Sequence, residues 1–263
     1  MTEHGAPGPA VSLPLVSIIL PFYNEEACVE QVLMDLRATL RKAGLRFEII
    51  AVQNGSWDRT SEILNRLSAL YPDVQVMDIP VNKGFGFGVL QGAAVSKGDF
   101  VGWMPGDGQV PSGAVPQVLS EMARTVSDVG KTCRVSRNDG WIRGLASKVM
   151  NTFARVMLGV STRDVDGTPK LFRREALQTL RLRSNDSFVD MEALVKARRL
   201  GLKVCEVDVP SLARVGGRSK VRVLETSVEF IANVLRVRFG RSDPWGLRET
   251  GRQRTRSGEG RHS

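Results

Sequence analysis

The chain has 263 residues, 42% of them hydrophobic, enough for one large α/β domain or two small ones around a packed core. Three scattered cysteines, Cys28, Cys133 and Cys205, form no CxxC pair, which argues against a disulfide framework or a zinc site and suits a reducing compartment. The net charge of +9 favours an anionic partner, whether nucleic acid, lipid phosphate or the pyrophosphate of a nucleotide.

Met1 to Pro14 is rich in Gly and Pro, lacks the basic-then-apolar order of a signal peptide and is expected to be disordered. Val16 to Leu20 and Phe47 to Val52 are β-branched runs that predict strands, separated by an amphipathic helix from Glu25 to Leu40 with Gly44 as its stop. Thr60 to Leu70 predicts a second helix, Val74 to Ile79 a third strand, Gly86 to Ser96 a third helix and Phe100 to Met104 a fourth strand. This alternation predicts an α/β fold with a mostly parallel central sheet, helices on both faces and ligands beyond the carboxyl ends of the strands. Helices at Gly144 to Leu158, Glu175 to Leu182 and Asp190 to Leu200, with strands at Pro169 to Phe172 and Lys203 to Val209, complete one domain over 15–220.

Leu224, Val228, Ile231 and Leu235 mark one face of a last helix within 221–240, suited either to packing on the domain or to lying at a membrane surface. Beyond it, 241–263 reads as a basic disordered tail. No apolar run reaches the roughly 18 residues of a membrane span. A cytoplasmic protein, with at most peripheral contact at the cytoplasmic face of a membrane, is therefore expected. The charge comes without a recognition motif, so nucleic acid is not an expected partner.

The first strand ends in Pro21-Phe22-Tyr23-Asn24-Glu25-Glu26, where Asn24 suits a helix cap and the two acids suit a helix start. After the second strand, Gln53 to Thr60 is a polar turn with Asp58 or Thr60 as cap. Asn82-Lys83-Gly84-Phe85-Gly86-Phe87-Gly88 is glycine-rich, but neither Gly84 nor Gly86 has a glycine five positions on, so it is not a dinucleotide fingerprint. The fourth strand runs into Pro105-Gly106-Asp107-Gly108-Gln109. This segment is either an Asp-Gly turn or a pair of oxygen ligands, Asp107 and Gln109, for Mg²⁺ or Mn²⁺. His4 and His262 lie near the two ends, which leaves carboxylates, amides and cations for chemistry within the fold.

In this order, the four segments resemble the family 2 glycosyltransferases of the GT-A fold, particularly the polyprenyl-phosphate sugar synthases. Pro21 to Glu26 matches a P-x-Y-N-E-E opening, Val52 to Thr60 a V-D-D-G-S-x-D-G-T segment, Asn82 to Gly88 an N-x-G-x-G, and Asp107 to Gln109 the end of D-x-D-x-Q. Asp164 to Arg174 is similar to a later family segment, and Arg214 to Lys220 to R-x-x-G-x-S-K. Two positions depart. Gln53 and Asn54 replace the Asp pair beside the nucleobase, and Pro105 replaces the first Asp of the metal motif.

The resemblance implies an inverting, metal-assisted transfer of sugar from a nucleotide-sugar donor to a polyprenyl phosphate, with Mg²⁺ or Mn²⁺ at Asp107 and Gln109. It implies donor binding by Pro21, Tyr23, Glu25, Gln53, Asn54, Lys83, Gly84 and Asp107. Asp190 stands where relatives carry an acidic motif near the acceptor, as a base for a hydroxyl acceptor or as a positioning group for a phosphate. It is equally placed to cap its helix. Arg134, Arg137, Arg143, Arg214, Ser219 and Lys220 are the expected acceptor or phosphate contacts, with Lys131 in the same cationic set and Arg214 beside Asp107 and Asp190 as catalytic. Transfer to a soluble or glycan hydroxyl, or nucleotide-sugar binding without catalysis, are the other readings of the same residues.

Overall fold

The computed structural model describes residues 13–136, 152, 156–160, 162–212, 234–235, 239 and 245–246. In chain order its elements are β1 (Leu15–Phe22), α1 (Val29–Lys42), β2 (Arg46–Asn54), α2 (Thr60–Leu70), β3 (Val74–Ile79), α3 (Phe85–Val95) and β4 (Phe100–Trp103). They continue with α4 (Ala114–Thr125), β5 (Val129–Ser136), β6 (Lys170–Arg173), α5 (Arg174–Leu180), α6 (Val189–Leu200) and β7 (Val204–Pro210). The strands form one sheet in the order β3-β2-β1-β4-β6-β5-β7. Every pairing is parallel except those of β6, which runs antiparallel to β4 and β5.

Strand periodicity divides the core between the two faces of the sheet. Ile18, Leu20 and Phe22 point to one side, where Leu33, Leu36 and Leu40 of α1, Leu64 of α2 and Val115, Val118 and Met122 of α4 cover them. Ile19, Val52, Val101 and Trp103 point to the other, under Val89 of α3, Leu180 of α5 and Val189, Ala193 and Ala197 of α6. The expected α/β sheet with helices on both faces is therefore found. Two elements that the sequence pattern did not single out, α4 and β5, complete it.

A third cluster joins Val160, Val165, Phe188, Met191 and Leu194 to Val234 and Trp245. Val234 is buried while its neighbour Leu235, assigned above to the apolar face of the last helix, is 40% exposed. At this point the inward face is therefore turned by one residue from the expected one. Otherwise the expected helices at 144–158 and 221–240 and the two terminal segments lie almost wholly outside the described residues.

Candidate active site

The carboxyl ends of β1, β2, β3 and β4 meet at one edge of the sheet, and side chains tie their loops together. Asn24 is left-handed, at φ 53°, a conformation that Asn tolerates better than most residues. It does not cap a helix. Its amide donates to Ser56 Oγ at 3.0 Å, and its Oδ1 accepts the Trp57 amide at 2.9 Å. The Glu25 amide donates to Thr60 Oγ1 and the Glu26 amide to Asp58, which delays α1 to Val29. Asp58 also accepts the Thr60 amide just before α2, whose cap position is Arg59 rather than the expected Asp58 or Thr60.

The two amides that replace the family's Asp pair are both buried and both engaged. Gln53 Oε1 accepts the Ser56 amide at 2.8 Å, closing its own turn. Asn54 Nδ2 donates to Gly84 O at 3.0 Å and to Asn82 Oδ1 at 3.3 Å, while Asn54 Oδ1 is buried without a donor. Asn54 thus fastens the β3 loop to β2, which a carboxylate, having no N–H, could not do.

The glycines around α3 answer to a neighbouring backbone. Gly84 has φ 99°, and a Cβ there would lie 2.4 Å from Asn185 O; one at Gly86 would lie 2.4 Å from the carbonyl oxygens of Ser184 and Asp186. The Phe87 amide donates to Asn185 O at 2.8 Å. Residues 184–186 therefore cross the amino end of α3 and take up its dipole. Lys83 is exposed, its Nζ 5.0 Å from the centre of the Phe87 ring. Pro21 is buried in β1, packed against Gly88 of α3.

The turn after β4 presents Asp107 half-buried. Gly106 lies against the Phe22 ring, where a Cβ would come within 2.4 Å, and Gly108 is left-handed at φ 76°. Asp107 Oδ1 accepts the Gln109 amide at 3.1 Å, and the Gln109 carbonyl accepts the Leu212 amide at 3.0 Å. This second bond fastens the segment after β7 to the Asp107 turn. The Cys28 thiol links the turn to the first loop, within 3.6 Å of Gly106 O and 3.5 Å of Glu25 Oε2.

Asp186 Oδ1 accepts the Phe188 amide just before α6, which begins at Val189 without a side-chain cap, so Asp190 does not cap it. Asp190 Oδ1 accepts Trp103 Nε1–H at 2.8 Å and lies 2.8 Å from Lys170 Nζ. Glu192 is fully buried and holds the Arg183 and Ser184 amides and Lys196 Nζ, so it is a structural acid.

The expected cationic set is only partly available. Lys131 is fully buried, donating to Thr132 O, Asp164 O and Glu206, and burial and the neighbouring Lys170 charge push its ammonium below the usual lysine range. It is a framework charge. Arg134 spends Nε and Nη2 on Asp164, at 2.7 and 2.8 Å, so its bidentate edge is already taken. Burial alone would raise the Asp164 carboxyl, but these bonds and the Arg134 charge outweigh it and hold the group well below the usual range.

Residues 17–181 match glycosyl transferase family 2. The chain belongs to that family. It is 32% identical over 213 residues to the undecaprenyl-phosphate 4-deoxy-4-formamido-L-arabinose transferase of Pectobacterium atrosepticum, covering 80% of this chain and 63% of that protein. The Pseudomonas paraeruginosa protein of the same description is 30% identical over 211 residues, covering 79% and 60%. The match thus spans less than two thirds of the length of these curated relatives. Among solved structures, glucosyl-3-phosphoglycerate synthase of Mycobacterium tuberculosis in complex with phosphoglyceric acid superposes with a TM-score of 0.70 at 22% identity, over 88% of this chain and 82% of that one. Its complex with Mn²⁺, UDP and glucosyl-3-phosphoglycerate gives 0.66 at 22% identity, over 92% and 88%. The fold is therefore GT-A, as the sequence implied.

For this family 2 chain, the fold gathers Tyr23, Glu25, Gln53, Asn54, Lys83, Gly84, Asp107 and Gln109 along one edge, with Asp190 further along it. Arg137, Arg143, Arg214, Ser219 and Lys220 lie outside the described residues. The sequence reading missed Lys170 and Trp103, the partners of Asp190. The available signal was a lone lysine opening the apolar run Leu171-Phe172.

Proposed function

We propose that the chain is an inverting glycosyltransferase that moves a sugar from a nucleotide-diphosphate sugar to a polyprenyl phosphate. The observation that carries this reading is the placement of a half-buried Asp107 turn at the carboxyl edge, joined through Cys28 and Glu25 to the loop that also binds the Gln53–Thr60 turn. The acceptor class is that of the related undecaprenyl-phosphate transferases.

Asp107 suits a metal that takes most of its ligands elsewhere. Among the described residues no group of three or more His, Cys, Asp or Glu gathers to hold an ion. One carboxylate, with Gln109 beside it, fits Mg²⁺ or Mn²⁺ completed by diphosphate oxygens and water. Such an ion supplies charge neutralisation to the departing pyrophosphate. Asp190, fixed by Trp103 and Lys170, then positions the acceptor. A phosphomonoester has a second pKa of about 6 and arrives already ionised, so no base is required. A polyprenyl phosphate presents its phosphate at a membrane surface, so the reading includes peripheral contact with it. Among the described residues no helix is long and apolar enough to cross a membrane.

The test is a panel of nucleotide sugars titrated with and without Mn²⁺ while thermal stability is followed, then transfer to a polyprenyl phosphate. A true donor raises the melting temperature by mass action, only with metal, and Asp107→Ala abolishes both the shift and transfer. Transfer that survives Asp107→Ala sinks the metal role. Asp190→Asn should leave transfer to the phosphate largely intact, whereas transfer to a hydroxyl acceptor that collapses in the same variant would favour the hydroxyl reading.

A further inference from the structure

Trp103, Lys170 and Lys131 form one row across three neighbouring strands, Trp103 paired with Lys170 and Lys170 with Lys131. Facing residues of an antiparallel ladder project to the same side, so both ammonium groups enter the same interior. Each is fully buried, a state that is costly unless acceptors surround the charge. Lys131 has three of them, Thr132 O, Asp164 O and Glu206 Oε1. Lys170 differs. Its Nζ lies 2.8 Å from Asp190 Oδ1, an oxygen already accepting Trp103 Nε1–H, and among the described residues no acceptor meets the ammonium in hydrogen-bonding geometry.

We propose that Lys170 is a binding residue for the phosphate of the acceptor, an anionic phosphomonoester oxygen completing the bonds that the protein leaves unmade. The identity of the ligand rests on the proposed function. The placement suits it: Lys170 opens β6 directly opposite the last residue of β4, and the Asp107 turn follows that residue, so ammonium and candidate metal carboxylate share one edge. Asp190 holds the ammonium in place until the acceptor arrives. The phosphate can be carried by a lipid or by a small soluble molecule, and the chemistry at Lys170 is the same.

The experiment measures binding of two probes to the full chain with UDP and Mn²⁺ present: a short-chain polyprenyl phosphate in detergent micelles and 3-phosphoglycerate in solution. Wild type, Asp190→Asn and the double variant Lys170→Met with Asp190→Asn are compared. The double variant strands no buried charge, and Lys170→Gln in the same background is a second form of it. One lost charged hydrogen bond weakens binding on the order of ten- to a hundredfold. That drop is expected between Asp190→Asn and the double variant, with the UDP titration unchanged. A drop for the micellar probe alone assigns a lipid-borne phosphate, and an equal drop for both assigns the headgroup itself. Equal affinities in the two variants, or no binding of either probe by wild type, overturn the assignment. Lys170-dependent binding without sugar transfer to phosphate counts instead against the proposed reaction and leaves Lys170 in its role.

Discussion

Glu192 offers a measurable test of how the α6 edge of the site is held. Its carboxylate is fully buried, with the Arg183 amide at 2.9 Å, the Ser184 amide at 2.8 Å and Lys196 Nζ at 2.5 Å. Lys196 is itself 1% exposed and also donates to Arg181 O at 2.7 Å. Glu192→Leu therefore removes the carboxylate from a buried ammonium and two amides. Removing one partner of a buried ion pair costs about 3–5 kcal/mol. At 2–4 °C per kcal/mol for a chain of this order, the melting temperature should fall by roughly 6–20 °C. Replacing both partners, Glu192→Leu with Lys196→Met, leaves no charge stranded and should recover part of the loss, giving a coupling energy above about 1 kcal/mol. Urea unfolding of the four proteins of this cycle measures both quantities. A loss below about 1 kcal/mol for Glu192→Leu, or additive single effects, would refute the reasoning.

Restoring the family residue with Asn54→Asp should be unfavourable, because a carboxylate would face Gly84 O and Asn82 Oδ1 where an N–H now donates; a loss of about 1–3 kcal/mol is expected, and equal melting at pH 7 would remove the anchoring role. Val126 ends α4 at φ 50° and ψ 51°, a left-handed conformation that a β-branched residue resists, and it is exposed. Val126→Gly should therefore stabilise by about 1 kcal/mol, and an unchanged or lower urea midpoint would contradict this. Asp164 titrates lower folded than unfolded, so it contributes stability that is present above its unfolded value of about 4 and lost as pH falls further. Asp164→Asn should accordingly be less stable than wild type at pH 7, with the gap narrowing below about pH 4. Parallel stability curves would speak against the Arg134 pairing.

The first half of the fold was legible because each element there carries its own period: α2 and β3 begin and end where their apolar spacing says, and β1 and β2 differ only at their ends. What escaped was written in contacts between distant residues. In β5, Lys131 and Arg134 interrupt the strand pattern, and their burial makes sense only once Asp164 and Glu206 are beside them. In α4, Pro116 in the first turn disguises a helix whose Ala114, Val115, Val118 and Met122 are buried. At the site, the motif spacing placed Asp107 correctly at the end of β4, whereas the duties of Asn54, Gly84 and Asp190 depended on partners 30, 101 and 87 positions away.

Because β6 runs against its neighbours, its first residue rather than its last reaches the reactive rim, and it does so locked beside Lys131. The chain leaves β5 at Ser136, paired with Pro210 of β7, and returns at Lys170, paired with Lys131. On its return it is already built into the domain, through Thr162 on Glu206, Asp164 on Arg134 and Val165 in the third core cluster. A designer altering that side of the rim would therefore keep the run from Thr162 to Lys170 intact, because it carries both the lysine and the anchors of the strand that the lysine opens.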